Sequence, residues 1–308
     1  MGLDNAPEAS QPAAGSPPRL SVGVVGVGRA GAVLGAALDR AGHAVTVVHA
    51  VSETSRLRAQ ALLPRARVVP IPEVFGNADL VLLTVPDDEL AALVQAAANN
   101  NWVRAGQFVV HCSGRYGTDV LSPAARVGAL PMALHPVMTL TGTSVDLDRL
   151  TGCPFGVTAP EPLQTVAAAL VVEMGGEPMF VAEESRALYH AALAHSANHI
   201  ISLVAEAMEL LETAGVADPA QLLRPLLTAS LDNALAYGDQ ALTGPVARGD
   251  AATVTAHLAE LGNVSASSRA AYRAMARRTA DRALAAGVLS PAAAERLLEG
   301  LAEGGALP

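Results

Sequence analysis

The 308-residue sequence contains no lysine, because all 20 of its basic residues are arginine. Any mechanism that needs a lysine as a proton donor or as a Schiff base is therefore excluded. The 29 acidic residues give a net charge of −9, and no basic stretch is interleaved with aromatic residues. Proteins that bind nucleic acid present such basic surfaces, so we do not expect nucleic-acid binding.

Cysteines and long apolar runs are also scarce. The two cysteines, Cys112 and Cys153, are too few for a disulfide scaffold and are typical of a reducing compartment. No run of about 20 apolar residues is present, so no membrane-spanning helix is expected. Residues 1–18 are rich in Pro, Ala, Ser and Gly, which predicts a disordered tail and not a signal peptide. These features predict a cytoplasmic protein.

The strongest motif is a glycine fingerprint between a predicted strand and a predicted helix. Gly26, Gly28 and Gly31 have G-x-G-x-x-G spacing. In this motif the first glycine allows a tight turn, the second lets the backbone approach a pyrophosphate, and the third allows close helix packing. The helix N-terminus, which includes Arg29 and Ala30, would then face the phosphates. The sequence therefore predicts a dinucleotide-binding domain.

The end of the second predicted strand indicates which dinucleotide binds. An NAD site usually has an acidic residue there, which binds the ribose hydroxyls. Here the strand leads to Ser52, and Arg56 and Arg58 follow. A hydroxyl and arginines suit a ribose 2′-phosphate better, so we predict NADP. The alternative is that the two arginines are solvated helix residues.

Strand-like segments alternate with helical ones as far as residue 182, which predicts a doubly wound, mainly parallel sheet over residues 19–182. Ligands bind such sheets beyond the carboxyl ends of the strands. The candidate cofactor residues at these ends are Val85, Pro86 and Asp87. The candidate site residues after the next two strands are Ser113, Gly114 and His135.

From residue 183 onward the pattern is helical only, so we predict an all-α substrate and dimerisation domain over residues 183–308. One helix is expected from Glu183 to about residue 214. Asp218 and Ser290 are expected to cap later helices, and Asp250 is expected to cap a helix that runs through Leu261. The segment LTGPVARGD, residues 242–250, contains Thr243 and Arg248 just before that cap. An arginine beside a helix N-terminus suits a carboxylate; the alternative is an exposed arginine in a helix connection.

The segment YHAALAHSANHI, residues 189–200, has more polar residues than an alanine helix needs. His195 and His199 have the i, i+4 spacing of a zinc helix, but no glutamate follows the first and no third ligand is evident. We therefore expect no metal and interpret these two histidines as mainly structural. His190 and Asn198 are the candidate functional residues of this helix.

Several motifs together resemble the 6-phosphogluconate dehydrogenase-like superfamily, which includes ketopantoate reductases. They are GVGRAG, TVPDD, HCSG and LHPVMT, followed by an all-α domain. HCSGRYGTDVL, YHAALAHSANHI and LTGPVARGD look more closely like one bacterial family, over roughly residues 19 to 285. That family pairs a Rossmann-like domain with a C-terminal domain of unknown function 2520. The resemblance implies an NADP-linked oxidoreductase.

The resemblance also implies roles for individual residues. Ser113 matches a substrate-binding serine, and His135 matches the acid–base histidine of the hydroxyacyl-CoA branch. Asn198 matches the asparagine that holds the substrate carbonyl. The β-hydroxyacid dehydrogenases and ketopantoate reductases use a lysine one turn earlier, but Ala194 occupies that position here. A histidine mechanism is therefore expected, since the pKa of a free histidine lies near neutral pH.

We therefore predict an NADP-dependent oxidoreductase for a small acidic substrate with a carbonyl or hydroxyl group, such as the 2-oxo acid ketopantoate. An imine reductase or prephenate-type dehydrogenase is the enzymatic alternative. A non-catalytic NADP-binding sensor is the alternative of another class. The apolar, alanine-rich helices, together with the resemblance, predict a homodimer.

Overall fold

The computed structural model describes residues 19–302, so the predicted tail at residues 1–18 lies outside the described residues. The chain divides into two compact units. The first unit ends at Ser196 and the second begins at Ala197. Both of these residues belong to one long helix.

One sheet of eight strands, in the order β3-β2-β1-β4-β5-β6-β7-β8, organises the N-terminal unit. Neighbouring strands are parallel except for β6 and β7, which are antiparallel. The predicted mainly parallel α/β fold is thus confirmed. The strands are β1 (Ser21–Val25), β2 (Ala44–His49), β3 (Arg67–Val68), β4 (Leu80–Leu83), β5 (Phe108–His111), β6 (Leu130–Pro136), β7 (Pro154–Thr158) and β8 (Glu177–Phe180).

Helices connect these strands and cover both faces of the sheet. Alternate strand residues belong to two separate hydrophobic clusters; Leu80 and Leu82 lie in one, and Val81 and Leu83 lie in the other. Burial on both faces is expected for parallel strands that are joined by crossover helices. The helices are α1 (Arg29–Arg40), α2 (Glu53–Leu62), α3 (Ile71–Gly76), α4 (Asp87–Asn99), α5 (Ser122–Arg126), α6 (Val145–Arg149) and α7 (Gln164–Glu173).

The described residues from 186 onward form helices and turns only, which confirms the predicted all-α C-terminal region. The helices are α8 (Arg186–Thr213), α9 (Pro219–Tyr237), α10 (Gly244–Arg248), α11 (Ala251–Val264), α12 (Ala266–Ala285) and α13 (Pro291–Gly300). A core of small and branched residues, including Val254, Ala280 and Leu297, holds α10 to α13 together.

The predicted caps of this region are present, although two helix bounds differ from the prediction. Asp218, Asp250 and Ser290 each accept a hydrogen bond from a backbone N–H in the first turn of α9, α11 and α13. The helix expected from Glu183 begins at Arg186, because residues 183–185 form a 3₁₀ turn. The helix expected to end at Leu261 continues to Val264. Among residues 19–302, no helix is both long enough and apolar enough to span a membrane.

Candidate active site

The glycine fingerprint forms an open turn at the carboxyl end of β1. Gly26 has a φ of 92°, and its N–H donates to the His49 carbonyl over 3.1 Å. A Cβ on Gly31 would overlap the Gly26 carbonyl and the Thr84 hydroxyl, so only glycine fits there. A Cβ on Gly28 would have no atom within 4 Å, and no side chain caps α1. The first amides of α1 are therefore placed as a pyrophosphate would require.

The end of β2 presents hydroxyl and guanidinium groups, as predicted for a ribose phosphate. Ser52 is the exposed N-cap of α2, and its Oγ accepts from the Ser55 N–H over 3.1 Å. Arg56 is exposed, and its Nε donates to the Ala50 carbonyl at 3.4 Å. No acidic residue stands between His49 and Ser52. These residues fit NADP, and their role stays a prediction.

A loop between β6 and α6 lies against two arginines of this edge, Arg29 of α1 and Arg58 of α2, a contact that the sequence interpretation missed. A Cβ on Gly142 would lie 2.8 Å from Arg58 Nε and 2.9 Å from Arg29 Cγ. The carboxylate of Asp146 is fully buried and accepts from the Thr141 and Gly142 N–H groups at 2.7 and 2.8 Å. The loop backbone thus holds the stems of both arginines near the start of α1.

The end of β4 lies beside the glycine turn, because β1 and β4 are adjacent strands. Thr84 donates its hydroxyl to the Gly26 carbonyl and thereby ties the two strand ends together. Pro86 is the N-cap residue of α4, and Asp87 is the first residue of that helix. Val85, Pro86 and Asp87 therefore lie where the strand order reverses, the usual ligand position in such sheets.

His111 shapes the loop after β5, and the hydroxyl hydrogen of Ser113 stays available for a ligand. His111 Nδ1 accepts from the Ser113 N–H at 3.1 Å, and its Nε2 lies 2.7 Å from the Gly117 carbonyl. Burial lowers the pKa of His111 to about 4, so its ring is neutral. Ser113 Oγ accepts from the backbone N–H groups of Arg115 and Tyr116. The Ser113 hydroxyl can still donate its hydrogen to a ligand.

Three aromatic side chains meet at the end of β6, and we call His135, Tyr189 and His190 the histidine cluster. His135 Nδ1 lies 2.8 Å from the Tyr189 hydroxyl, and the two rings are perpendicular with centroids 5.7 Å apart. The His190 ring is perpendicular to His135 at 6.0 Å. A Cβ on Gly114 would lie 2.7 Å from His190 and 2.8 Å from His135 Nε2. The structure thus brings Gly114, His135 and His190 together.

A buried arginine lies behind this cluster, and the sequence interpretation did not identify it. Arg186 is 1% exposed and donates to Thr158 Oγ1 and to the Gly156 carbonyl at 2.7 and 3.0 Å. Its NH1 has no hydrogen-bond partner, and its guanidinium carbon lies 5.6 Å from the centre of the Tyr189 ring. Arg186 therefore faces Tyr189 with one buried N–H group unpaired, and no ion pair among the described residues includes it.

The pKa of His135 differs from the sequence-based expectation. Burial, followed by the positive charge of Arg186, lowers the pKa of His135 to about 4. His190 and His111 contribute in the same direction. His135 is therefore a neutral imidazole at neutral pH, and the expectation that its pKa lies near the working pH is corrected. The reason is the burial of the end of β6, which a single sequence does not reveal.

The remaining predicted residues lie in the C-terminal unit. Asn198 is exposed on α8, and Thr243 and Arg248 are exposed at the two ends of α10. The first turn of α11 is already capped, because Asp250 accepts from the Thr253 N–H at 3.1 Å and from the Thr253 hydroxyl at 2.7 Å. The sequence suggested that the amides beside Arg248 are open to a ligand, but Asp250 already occupies at least one of them. Roles for Asn198, Thr243 and Arg248 stay predictions.

Between residues 19 and 302, no group of three or more His, Cys, Asp and Glu side chains could hold a metal ion. His195 and His199 lie exposed on α8.

Two family models match the chain in succession. Residues 5–136 match the Rossmann-like domain, and residues 153–279 match the domain of unknown function DUF2520. A glycerol-3-phosphate dehydrogenase [NAD(P)+] from Bradyrhizobium sp. strain BTAi1 is 27% identical over 261 residues, which cover 75% of this chain and 78% of the relative. These matches support a Rossmann-type, NAD(P) dehydrogenase-like family. The relationship to ketopantoate reductases stays a prediction.

Solved structures show the same fold. A Bacteroides fragilis protein assigned to the NADP oxidoreductases is 22% identical, with a TM-score of 0.73 over 85% of this chain and 98% of that chain. An imine reductase from Pseudomonas sp. is 18% identical, with a TM-score of 0.54 over 92% of this chain and 93% of that chain. These relatives are NAD(P)-dependent dehydrogenases and reductases, which is the enzyme class that the sequence predicts.

Proposed function

We propose that the protein is an NADP-dependent oxidoreductase that interconverts a carbonyl and a hydroxyl group on a small, carboxylate-bearing substrate. One observation carries the proposal: a single edge of the sheet holds both an open glycine turn and the histidine cluster. The glycine turn lies at the end of β1, and the histidine cluster lies at the end of β6, two strands beyond β4.

The residues at this edge fit the parts of a dinucleotide. The uncapped start of α1 and Arg29 suit the pyrophosphate, whereas Ser52 and Arg56 suit a phosphate on the adenosine ribose. NADPH supplies a hydride when it is bound. The chain would supply the rest: Ser113 would donate to the reacting oxygen, and His135 would transfer a proton to it.

The substrate is assigned by chemical class. A 2-oxo acid such as ketopantoate is consistent with the resemblance to ketopantoate reductases. Arg248, the predicted carboxylate ligand, would then act on binding as much as on the reaction, so its loss should raise KM more than it lowers kcat. Asn198 would hold the reacting oxygen, as the resemblance implies.

An imine is the second candidate, and the neutral state of His135 favours it. A protonated iminium carries its own proton, so it needs no acid from the protein. The similarity to an imine reductase is a reason to include cyclic imines in any substrate panel. An imine reductase should keep its turnover when His135 is removed, which a carbonyl reductase should not.

Purified protein should oxidise NADPH in the presence of one member of a panel of 2-oxo acids and cyclic imines. We expect His135→Ala to lower kcat by about 10²–10⁴-fold while NADPH binding, followed by fluorescence, is unchanged. His195→Ala, on an exposed part of α8, is the matched control and should leave both unchanged. Tight NADPH binding with no turnover on the whole panel would instead favour the sensor.

A further inference from the structure

We propose that His135 is a proton relay. It passes a proton from Nε2 to the substrate oxygen, while the Tyr189 hydroxyl gives a proton to Nδ1. Arg186 stabilises the tyrosinate oxygen that remains. This inference rests on the proposed function and deepens it, because it names the source of the proton. Tyr189 and Arg186 were not among the predicted site residues. Both act through His135, so they are positioning residues of the site.

The contact between Tyr189 and His135 has the geometry of a relay. The Tyr189 hydroxyl lies 2.8 Å from His135 Nδ1. The other ring nitrogen, Nε2, faces Gly114, the residue after Ser113 in the loop where a substrate is expected. One nitrogen thus receives a proton from the protein side while the other donates on the ligand side.

A glycine makes this contact possible. A Cβ on Gly156 of β7 would overlap the Tyr189 hydroxyl. Gly156 pairs directly with His135 across the antiparallel β6–β7 ladder. The missing side chain therefore leaves the space in which the hydroxyl reaches His135 Nδ1.

The charges around His135 oppose a stored imidazolium. His135 is faced by Tyr189, His190 and Arg186 from α8, and by His111 from β5. None of these groups carries a negative charge at neutral pH, and no ion pair of the described chain includes Arg186. The lowered pKa of His135, about 4, agrees with this arrangement. A neutral imidazole can donate from Nε2 only if Nδ1 gains a proton.

Tyr189 can supply that proton at neutral pH. Burial raises the pKa of Tyr189, while Arg186 opposes that rise, so the hydroxyl keeps its proton until the solution is alkaline. The Arg186 guanidinium carbon lies 5.6 Å from the ring, and its buried NH1 has no partner. A buried guanidinium that has no ion-pair partner and one unpaired N–H group is costly, and a tyrosinate oxygen nearby would offset part of that cost.

In the direction of reduction, the proton moves from Tyr189 through His135 to the substrate oxygen. As the carbonyl carbon gains a hydride, its oxygen takes the proton of His135 Nε2, and the C=O double bond becomes a C–O single bond. The Tyr189 O–H bond breaks, and an N–H bond forms at His135 Nδ1. Tyrosinate then faces Arg186. A proton from water returns to Nε2, and the proton on Nδ1 returns to the Tyr189 oxygen.

Tyr189→Phe tests the relay, and the chain offers a matched control. Tyr272 lies 2.8 Å from His257 Nδ1, with perpendicular rings 5.7 Å apart, the same geometry in the C-terminal unit. We expect Tyr189→Phe to lower kcat at pH 7 by about 10²-fold or more. Tyr272→Phe should leave kcat unchanged. Melting temperatures of both variants should stay close to that of the wild type.

The pH profile separates a relay from a structural role. Wild-type kcat should be level from pH 6 to the alkaline pKa of Tyr189 and then fall. In Tyr189→Phe only an imidazolium can donate, so kcat should fall about tenfold per pH unit above the pKa of His135. A lower kcat with an unchanged profile would mean that Tyr189 only packs against His135, and the relay would be wrong.

A second measurement does not depend on turnover. Nitrogen-15 NMR should show wild-type His135 as a neutral ring at pH 7 with its hydrogen on Nε2 and with Nδ1 accepting a hydrogen bond. That bond should be lost in Tyr189→Phe. A protonated ring, or a hydrogen on Nδ1, would overturn the relay even if the wild type reduces a substrate. Absence of turnover with a correct tautomer would instead count against the proposed function alone.

Discussion

The protonation state of His135 limits what the candidate site can do. A histidine with an ordinary pKa can store a proton at neutral pH and release it in one step. Burial and Arg186 remove that option, because the charged ring is disfavoured. In the proposed carbonyl reduction the site would therefore move a proton through a neutral ring, which requires groups on both ring nitrogens. Tyr189 meets that need on the protein side.

Ser52 is the residue at which cofactor preference can be tested. Its hydroxyl caps α2 and stands where an NAD-specific site would have an acid. We expect NADPH to bind more tightly than NADH in the wild type. Ser52→Asp should weaken NADPH binding by charge repulsion of the 2′-phosphate and should strengthen NADH binding through the ribose hydroxyls. An aspartate can still cap the helix, so stability should be little changed.

Fluorescence titration of both cofactors would measure this preference. Thr165→Asp is a suitable control, because it adds the same charge at an exposed position in the first turn of α7, a helix that packs on β7 and β8 and not on β2. Equal affinities of the wild type for NADH and NADPH would contradict the prediction. So would a Ser52→Asp variant that still prefers NADPH by the same ratio.

The residues that the sequence identified and those it missed differ in the kind of signal they leave. Gly26, Gly28 and Gly31 form a spaced motif, and His135 lies at the end of a strand, so local patterns were sufficient to identify them as candidates. On a helical wheel, Tyr189 lies roughly opposite Asn198, the candidate residue of this helix, so the sequence did not indicate a role for it. A helical wheel gives positions around one helix only, and the partner of Tyr189 is on β6. Arg186 left no signal beyond its position near a helix start.

At the scale of elements, the antiparallel β6–β7 pair builds the back of the site. Strand β7 brings Gly156 directly opposite His135, while the start of α8 brings Arg186 and Tyr189 over that glycine. The parallel part of the sheet holds the glycine turn instead. In the proposed reaction, the cofactor would bind at the parallel strands, and proton transfer would take place at the antiparallel pair.

Gly156→Ala should disturb the site without unfolding the protein. The added methyl group would overlap the Tyr189 hydroxyl and push it away from His135 Nδ1. Overpacking of this kind costs about 1–3 kcal/mol of unfolding free energy. We expect kcat to fall and the pH profile to resemble that of Tyr189→Phe. Chemical denaturation and steady-state kinetics would measure the two effects.

Gly76→Ala is the matched control for this substitution, because a Cβ there would meet no atom within 4 Å. Its stability and kcat should both stay close to the wild type. A Gly156→Ala variant with unchanged kcat and unchanged profile would show that the hydroxyl position is not important.

Element types were predictable from sequence, whereas strand directions were less so. The caps at Asp218, Asp250 and Ser290 are short-range chemistry, and each forms its expected hydrogen bond. Alternating strands and helices implied the parallel sheet. The reversal between β6 and β7 depends on the connection through α6, and neither strand carries a local pattern that marks its direction.

At the scale of the whole molecule, α9 is the least covered element of the C-terminal unit. Leu222 and Leu226 are 55% and 61% exposed, and Leu231 and Leu235 are 49% and 79% exposed. At about 100° per residue, the first pair lies roughly opposite the second pair on the helix surface. A helix with leucines on opposite sides is normally buried, and a helix of this length is only marginally stable alone in water.

We therefore expect a homodimer in which a second copy of the chain covers α9, as in a symmetric interface. Light scattering at micromolar concentration should give twice the mass of one chain. Leu226→Glu combined with Leu235→Glu should shift the protein toward monomer, because two charges would be buried in an apolar contact. Leu57→Glu is the control, since Leu57 on α2 is 57% exposed and should tolerate a charge. A monomeric wild type would refute the dimer, and an unchanged dimer in the double variant would place the interface away from α9.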